Sequence, residues 1–579
     1  MRQRVIIGGL FSVNLLAIFF TFTLHYHESL TIKRVLDNET SEEARIEFDD
    51  PIRAYQLLSI LDEFEPINIG LSRDKAEKFY TKTPFVGLTT DKNYCEKHRA
   101  YFVSNPSFMF KEKNFITSVP HGSKIRQLVI PELGGNDTMP HVRASRGDGI
   151  VSKSLFDIRL DTHAFYMPTI YVREVGRHFA CLTQFYNHIP GHDDLYRKDR
   201  ASNAIIQYKK KYESKPHCLD ANKFFPPTWL LRNKEQCIQF FKEFNSPKYQ
   251  ELKKERKVVF FRKIGYDAHM GSGVFPVKGE EEIKIRKQYQ DGALCGKVLS
   301  NNLMQYYIHN PLLVNGRKVD LRMFIIIAST NPMIVYYNDG YFTVSLTEFN
   351  ANSTEKTALL TNSDVARRHF LIEQQKGMFQ GMTEKDLWEH TLWSFETFQD
   401  YLLNNGLIND TNWLDNYLRP ELQKMVVHIV RMSQGSLSKR SSVYEIFGVD
   451  LMLDTNFNLW FIEANANPDI EEYPKELDDL LKNMLVDSLE VQFALLRSRT
   501  KRIINYVNGI IRDKKAWRIE DEKVYLLDPE KKKAEFKKIS MNYFEKEFEP
   551  PIKRRFPKII DENLEGVERY NYIVEYDCM

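Results

Sequence analysis

Gly448-Val449-Asp450-Leu451-Met452-Leu453-Asp454-Thr455-Asn456-Phe457-Asn458-Leu459-Trp460-Phe461-Ile462-Glu463-Ala464-Asn465-Ala466-Asn467-Pro468 is the stretch from which the rest of the chain is best read. Two apolar runs, Leu451 to Leu453 and Leu459 to Ile462, flank a polar turn, the pattern of two buried strands joined as a hairpin. Asp450 enters the first strand, Glu463 leaves the second, and Asn465 follows it, so three oxygen donors are expected at one end of the hairpin. A single carboxylate at a strand end most often faces water. A small cluster of hard oxygen donors suits Mg²⁺, an ion that keeps several waters and binds through one or two carboxylates plus substrate phosphates.

Upstream, Val258 to Lys263 reads as a strand ending in a lysine, followed by Ile264-Gly265-Tyr266-Asp267-Ala268-His269-Met270-Gly271-Ser272-Gly273-Val274-Phe275. Glycines in such a loop let backbone N–H groups approach phosphate oxygens, because no Cβ holds the backbone away. Taken alone, Gly271-Ser272-Gly273 would be no more than a turn. Next come Met304-Gln305-Tyr306-Tyr307-Ile308-His309-Asn310-Pro311 and Gly316-Arg317-Lys318-Val319-Asp320-Leu321-Arg322-Met323. The second piece sets Lys318, Asp320 and Arg322 on alternate positions, hence on one strand face, before the run turns wholly apolar. Charges beside a buried strand need a ligand or one another. Leu360-Thr361-Asn362, Asn187-His188-Ile189-Pro190-Gly191 with Lys198-Asp199, and Pro226-Pro227-Thr228-Trp229 complete the set.

In this order, over about residues 180 to 490, these segments resemble the tubulin tyrosine ligase-like family of ATP-grasp amino acid ligases. The resemblance implies an α+β fold with an ATP-grasp core, in which two lobes clamp ATP with Mg²⁺. It implies metal ligation by Asp450, Glu463 and Asn465, and a phosphate loop made by Lys263, Gly271 and Gly273. Gln305 falls at the adenine hinge, with Tyr307 beside it among the cofactor-binding residues, and Asn362 is a nucleotide or metal contact. Lys318 and Arg322 would meet phosphate or acyl-phosphate charge, while Asp320 would orient them or hold the acceptor amine. The implied reaction adds an amino acid to a protein acceptor through an acyl phosphate, as in tyrosine ligases, glutamylases and glycylases, with tubulin tails among the candidate acceptors.

The chain departs from the family pattern at four positions. Tyr306 stands where a basic residue usually follows the hinge glutamine, Met270 replaces an arginine in the glycine loop, Leu359 replaces a histidine, and Thr343 replaces an arginine that engages the acceptor. The ATP and metal half of the site therefore looks intact and the acceptor half changed. The alternatives are a nucleotide-binding or microtubule-binding module without transfer, and a ligase acting on a lumenal acceptor. A type II Golgi-type transferase would fit the anchor but not the ordered motifs.

Composition bounds the rest. At 579 residues, 27% charged and 13% aromatic, the chain is long enough for two or three domains and is not generally disordered. A net charge of +3 gives little global steering, and no nucleic-acid partner is expected. The six cysteines show no paired spacing, hence no zinc module and no disulfide framework, and leave the redox compartment open. Val5 to Leu24 is twenty residues without a charge, about the length that spans a bilayer, and Arg2 and Arg4 precede it. A single-pass signal anchor is expected, with a lumenal body by the positive-inside rule; tubulin as substrate would require a cytoplasmic one. Sequons begin at Asn38, Asn136, Asn352 and Asn409, a pattern too common to decide topology alone. The expected organisation is an n-region and anchor at 1–28, a stem at 29–90, an α/β region at 91–255, the ATP-grasp core at 256–498 and a basic helical extension at 499–579.

Overall fold

The computed structural model describes residues 187–189, 191–219, 221–255, 258–265, 273–439, 443–466, 479–492 and 556–579, with short strands and isolated positions elsewhere. The expected anchor, most of the stem, Met270 and Gly271 lie outside the described residues. Among the described residues, no helix is long and apolar enough to cross a membrane.

Contacts divide the chain into two units. One comprises Met1–His188, Arg440–Tyr444 and Leu485–Glu549, the other Ile189–Lys439, Glu445–Met484 and Pro550–Met579. In the first, Gly135–Asp137, Lys113–Thr117, Phe156–Leu160 and Thr183–Tyr186 pair in that order as a parallel sheet. A second sheet there has the order Ala534–Glu535, Thr31–Arg34, Ala44–Glu47.

The second unit holds all the described candidate site residues. After a short helical turn at Asp193–Tyr196 come helix α1 (Lys198–Lys211), strand β1 (Thr228–Leu230) and helices α2 (Lys234–Phe244) and α3 (Pro247–Lys254). Asn233 caps α2 by accepting the Gln236 N–H, and Ser246 caps α3 by accepting that of Tyr249, with Pro247 in the first turn where its missing N–H costs nothing. Strands β2 (Phe260–Ile264), β3 (Val274–Pro276) and β4 (Asn302–Tyr306) join β1 in an antiparallel sheet of order β1-β4-β2-β3, with helix α4 (Glu280–Tyr289) between β3 and β4. Alternation along the strands gives this sheet two different faces. Phe260 and Met304 join Cys237, Phe240, Phe244 and Tyr289 in an apolar core, the α2 residues recurring at helical spacing. Lys263 and Gln305 belong to the opposite face and line a cavity.

The larger sheet is built on β5 (Arg317–Thr330) and β6 (Met333–Val344), followed by helices α5 (Ser363–Gln375) and α6 (Glu384–Thr391), the short strand β7 (Leu392–Trp393) and helices α7 (Phe395–Asn404) and α8 (Arg419–Ser433). Strands β8 (Glu445–Leu453), β9 (Leu459–Asn465) and β10 (Lys558–Asp561) complete it. Its order is β7-β6-β5-β8-β9, and β10 pairs with β6. Met323 to Ala328 are wholly buried, so the centre of β5 reads as a continuous apolar run. Phe342 of β6 stacks on Phe398 of α7 at 3.8 Å between ring centroids.

The expected hairpin forms as β8 and β9, with one correction. The first strand starts at Glu445, so Asp450 sits inside it and pairs across with Glu463, away from the turn at Asp454–Asn458. The apolar run Leu451 to Leu453 marks only the half of β8 that is buried without charge. A register shift after Asp450 sets Leu451 opposite Phe461. That bulge re-aims the side chains of Ile462 and Glu463 toward the cavity.

The expectation of no disulfide framework is overturned. Cys218 bonds Cys578 and Cys237 bonds Cys295, with Cα atoms 5.3 and 5.6 Å apart. These pairs are 360 and 58 residues apart in sequence, so only the fold brings them within bonding reach. The first ties a 3₁₀ turn, Pro216–Cys218, to the C-terminal turn Tyr576–Cys578; the second lies within the core of the small sheet. Phe556–Met579 contributes β10 and two 3₁₀ turns rather than an α-helix.

Candidate active site

Lys318, Asp320 and Arg322 lie on one face of β5, as their alternation requires. Lys318 Nζ donates to Asp320 Oδ2 at 2.8 Å, and Thr361 Oγ donates to the same oxygen at 2.5 Å. Arg322 forks onto Asp450 of the next strand, with Nε to Oδ1 and an η-nitrogen to Oδ2 both at 2.7 Å. This bidentate pair follows from register, since Arg322 and Asp450 are direct cross-strand partners. Glu463 is in turn the cross-strand partner of Asp450, and Asn465 Nδ2 donates to Asp450 Oδ2 at 3.2 Å. The three expected metal ligands are therefore neighbours on one sheet surface.

Lys198, at the start of α1, reaches Glu463 at 3.2 Å. Close packing makes this possible: Asp199 N–H donates to Gly265 O at 3.3 Å, and a Cβ on Gly265 would lie 2.7 Å from the Asp199 Cβ and 2.9 Å from Asn301 O. Only glycine lets the end of β2 approach the helix start so closely. On the other side of α1's entry, buried Glu445 accepts the Ile189 N–H at 2.9 Å and bonds His192 Nδ1. This fixes the turn from which α1 departs.

Lys198, Thr228, Lys263, Gln305, Phe461 and Glu463 line one cavity, open between the small sheet, α1 and β9. Gln305 Nε2 donates to Thr228 Oγ at 3.2 Å. Tyr307 is buried, its ring edge-on to Phe261 at 4.9 Å and its hydroxyl without a hydrogen-bond partner among the described residues; burial first, and then Asp320, push that hydroxyl's pKa up. Gly273 accepts the Ile264 N–H at 2.9 Å, which closes the described end of the glycine loop onto β2. Asn362 does something the sequence does not show: its side chain caps α5 by accepting the Val365 N–H at 3.1 Å. Its neighbour Thr361 is the residue that meets Asp320. Thr361 and Lys198 both lay in segments singled out from sequence, and only the tertiary contacts distinguish them from Asn362 and Asp199.

Four cations, Lys198, Lys263, Lys318 and Arg322, stand among three carboxylates, Asp320, Asp450 and Glu463. Burial is the largest influence on Lys263 and lowers its pKa to about 8; Glu463 raises it, while Lys198 and Lys318 lower it further. Against the cost of burial, Lys198 and Lys263 hold the Glu463 carboxyl below its ordinary value. Burial pushes the Asp450 carboxyl up, opposed by Arg322 and reinforced by Glu463 and Asp320. One surplus positive charge in a half-enclosed cleft suits a polyanion.

The donor set also fits a divalent cation. Asp320 Oδ1 is buried with no hydrogen-bond partner among the described residues, an acceptor that calls for a ligand. Asp450, Glu463 and the carbonyl of Asn465 add hard oxygens beside it.

The four departures fall differently in space. Tyr306 is on the far face of β4 from Gln305, edge-on to Phe260 at 5.7 Å, so it serves the apolar core and stays out of the cavity. Leu359 is fully buried with Val258, Phe261 and Tyr307. Thr343 is the direct cross-strand partner of Asp320, so an arginine there would stand beside that carboxylate. Met270 lies outside the described residues.

The folded-state pKa of Lys263 is lowered, so below about pH 8 both folded and unfolded chains carry its charge and the burial cost is felt in full. Between about 8 and the ordinary lysine value the folded protein releases the proton first, and stability rises with pH. Lys263→Met is expected to raise stability at pH 7 by about 1–3 kcal/mol, to remove that rise, and to abolish ATP binding. Urea denaturation at pH 7 and pH 9, with nucleotide titration, checks all three; unchanged ATP affinity would remove Lys263 from the phosphate site.

Two antiparallel sheets, one presenting a buried lysine and the other a row of carboxylates and cations, define an α+β protein whose cleft is equipped for a nucleotide and a divalent metal. The chain belongs to the tubulin-tyrosine ligase family, whose model matches residues 178–501. It is 25% identical over 292 residues to the human inactive polyglycylase TTLL10, covering 48% of this chain and 40% of that protein. It is 31% identical over 172 residues to tubulin glycylase 3A of Drosophila melanogaster, covering 30% of this chain and 16% of that protein. The chain thus matches less than half the length of these relatives. Among solved structures, the C-terminal domain of K. lactis Pby1, an ATP-grasp enzyme, is similar with a TM-score of 0.41 and 15% identity, over 66% of this chain and 94% of that one.

Proposed function

We propose that this protein is an ATP-dependent ligase that joins an amino acid to a polypeptide acceptor through an acyl phosphate. One observation carries the reading: the Arg322–Asp450–Glu463–Lys198 chain of cross-strand and ion-pair contacts, with Lys263 and Lys318 beside it. Such a row holds a triphosphate by charge and holds it still. Phosphoryl transfer asks the protein mainly for position and charge neutralisation.

In this reading Gln305 and Tyr307 flank the base, and Lys198 and Lys263 take phosphate oxygens. Lys318 and Arg322 hold the carboxylate that receives the phosphoryl group. Asp320, kept in place by Lys318 and Thr361, presents its free oxygen to the attacking amine or to the metal. Asp450, Glu463 and Asn465 would hold Mg²⁺, which when bound would neutralise charge on the phosphates. The carboxylate oxygen attacks the γ-phosphorus of ATP and ADP leaves. The amine then attacks the acyl carbon, phosphate leaves with the electron pair, the nitrogen loses a proton, and an amide bond results.

The Drosophila relative is named a tubulin glycylase, which makes acidic tubulin tails the first acceptor to try. The full chain would be incubated with Mg-ATP, glycine, glutamate or tyrosine, and tail peptides, and product mass read. An ATP-dependent increment of one amino acid supports the ligase. Mg-ATP binding without transfer to any acceptor supports the second reading, a nucleotide-binding module, which is favoured by the threonine opposite Asp320 and by the human relative being named inactive.

Thr343→Arg is expected to leave ATP affinity unchanged and to raise transfer to carboxylate-rich tails about tenfold, because a bidentate cation would then face the acceptor beside Asp320. Unaltered acceptor kinetics in this variant would detach Thr343 from acceptor choice.

A further inference from the structure

We propose that Asn352 and Asn409 are N-glycosylation sites and that the ligase unit therefore folds in the oxidising lumen of the secretory pathway. Asn409-Asp410-Thr411 lies wholly exposed in the loop after α7. That loop is held open by its own contacts: Asp410 accepts the Asn412 N–H at 2.8 Å and Asn416 Nδ2 at 2.8 Å, and Thr411 O accepts from Gln399. Asn352 is exposed in a turn within the β6–α5 connection, where Asn350 Oδ1 accepts its backbone N–H at 2.9 Å. Both are acceptor sequences on exposed, irregular backbone, the setting in which N-glycans are carried.

An independent observation points to the same compartment. Cys218–Cys578 and Cys237–Cys295 are both formed, and no described cysteine is free. Stable structural disulfides belong to secreted and lumenal proteins and are rare in the cytosol. The sequence offers the means of entry in the uncharged segment Val5 to Leu24, preceded by Arg2 and Arg4.

The chemistry balances with reagents of that compartment. At each asparagine, Nδ2 bonds to C1 of an oligosaccharide carried on a lipid pyrophosphate. The C1–O bond breaks, the lipid pyrophosphate leaves with the electron pair, and the amide loses one proton. Each disulfide forms by exchange with an oxidised protein disulfide, which takes up two electrons and two protons and is left as a dithiol.

One rival reading uses the same atoms. His217, Cys218, Asp577 and Cys578 bring an imidazole, two sulfurs and a carboxylate within 4.8 Å of one another, so in a reducing cytosol the unbonded thiolates would suit zinc. Sequence spacing does not separate the two; the bond between the Cys218 and Cys578 sulfurs favours the disulfide, and the alkylation and zinc measurements below decide it. Glycans on the body would extend the acceptor search from tubulin tails to acidic lumenal polypeptides; the inference does not depend on the ligase reading.

The test expresses the full chain in cells with a secretory pathway and follows gel mobility and peptide mass with and without an N-glycosidase. The expected result is a glycosidase-sensitive mobility shift that shrinks by one glycan in Asn352→Gln, by one in Asn409→Gln, and by two in the double variant. Under non-reducing conditions Cys218, Cys237, Cys295 and Cys578 should resist alkylation. Wild-type mobility that the enzyme does not change, a double variant with unaltered glycan content, or alkylatable cysteines with one bound zinc per chain would each overturn the proposal. ATP binding by the same preparation is read separately, so loss of ligase chemistry and loss of the glycans remain distinguishable.

Discussion

Glu463→Gln is expected to lower ATP turnover by about 10³-fold while leaving the fold intact. The substitution keeps the shape of the side chain and an oxygen for Lys198, which sits 3.2 Å from the Glu463 carboxylate. What it removes is one negative charge from the surface formed with Asp450, its cross-strand partner, and Asn465. Two effects follow. The site loses a hard anionic ligand, which weakens retention of a divalent cation. Lys198 and Lys263 lose the carboxylate that balances them, so the cavity binds free nucleotide without holding it productively. Far-UV circular dichroism should match wild type, while urea denaturation at pH 7 should show a loss of about 1–3 kcal/mol, because buried Lys263 loses the carboxylate that favours its charge. Full turnover in this variant would sink the metal assignment at the hairpin.

Gly340→Ala is expected to cost about 3–5 kcal/mol of stability, well beyond an ordinary glycine replacement. Register explains the size. Arg322 pairs with Tyr341 and Phe324 with Asn338, so Asp339 and Gly340 of β6 oppose Met323 alone in a bulge. A Cβ on Gly340 would lie 1.9 Å from Arg322 O and 3.1 Å from Met323 Cα, backbone atoms that no rotamer change can move aside. The same bulge is pinned from outside by Arg419, whose Nε and η-nitrogen reach Asp339 Oδ2 at 2.8 and 2.6 Å. The strand that would have to shift carries Arg322 and hence the Asp450 fork. ATP affinity should therefore fall together with stability, and the midpoint of thermal unfolding by about 10 °C. Gly435→Ala, which meets nothing within 4 Å, is the control and should change stability by less than about 0.5 kcal/mol. A Gly340→Ala protein as stable as the control would show that the strand pairing at the bulge is wrong.

Alternation and order along the chain made much of the site legible. Lys318, Asp320 and Arg322 had to share a face once β5 was read as a strand, because side chains repeat every two residues. The apolar-turn-apolar pattern likewise required a hairpin bearing Asp450, Glu463 and Asn465. The exact start of β8 was not legible, since residues Glu445 to Gly448 mix a buried charge with apolar neighbours and only pairing with β5 reveals them as strand. Nor could sequence choose between Thr361 and Asn362, adjacent polar residues of which one faces Asp320 and the other caps α5. Tyr306 and Leu359, two departures from the family pattern, turn out to be core residues.

What the sequence determined by itself was therefore local and periodic: the α+β character, the strand faces that carry charge, and the family to which the ordered motifs belong. What only the tertiary structure decided was which distant groups meet. Lys198 finds Glu463, Thr343 stands opposite Asp320, and Cys218 finds Cys578 across 360 residues. Periodicity fixes the direction of a side chain relative to its own strand, while its partner is set by register and by the packing of helix against sheet, which no spacing along one chain encodes.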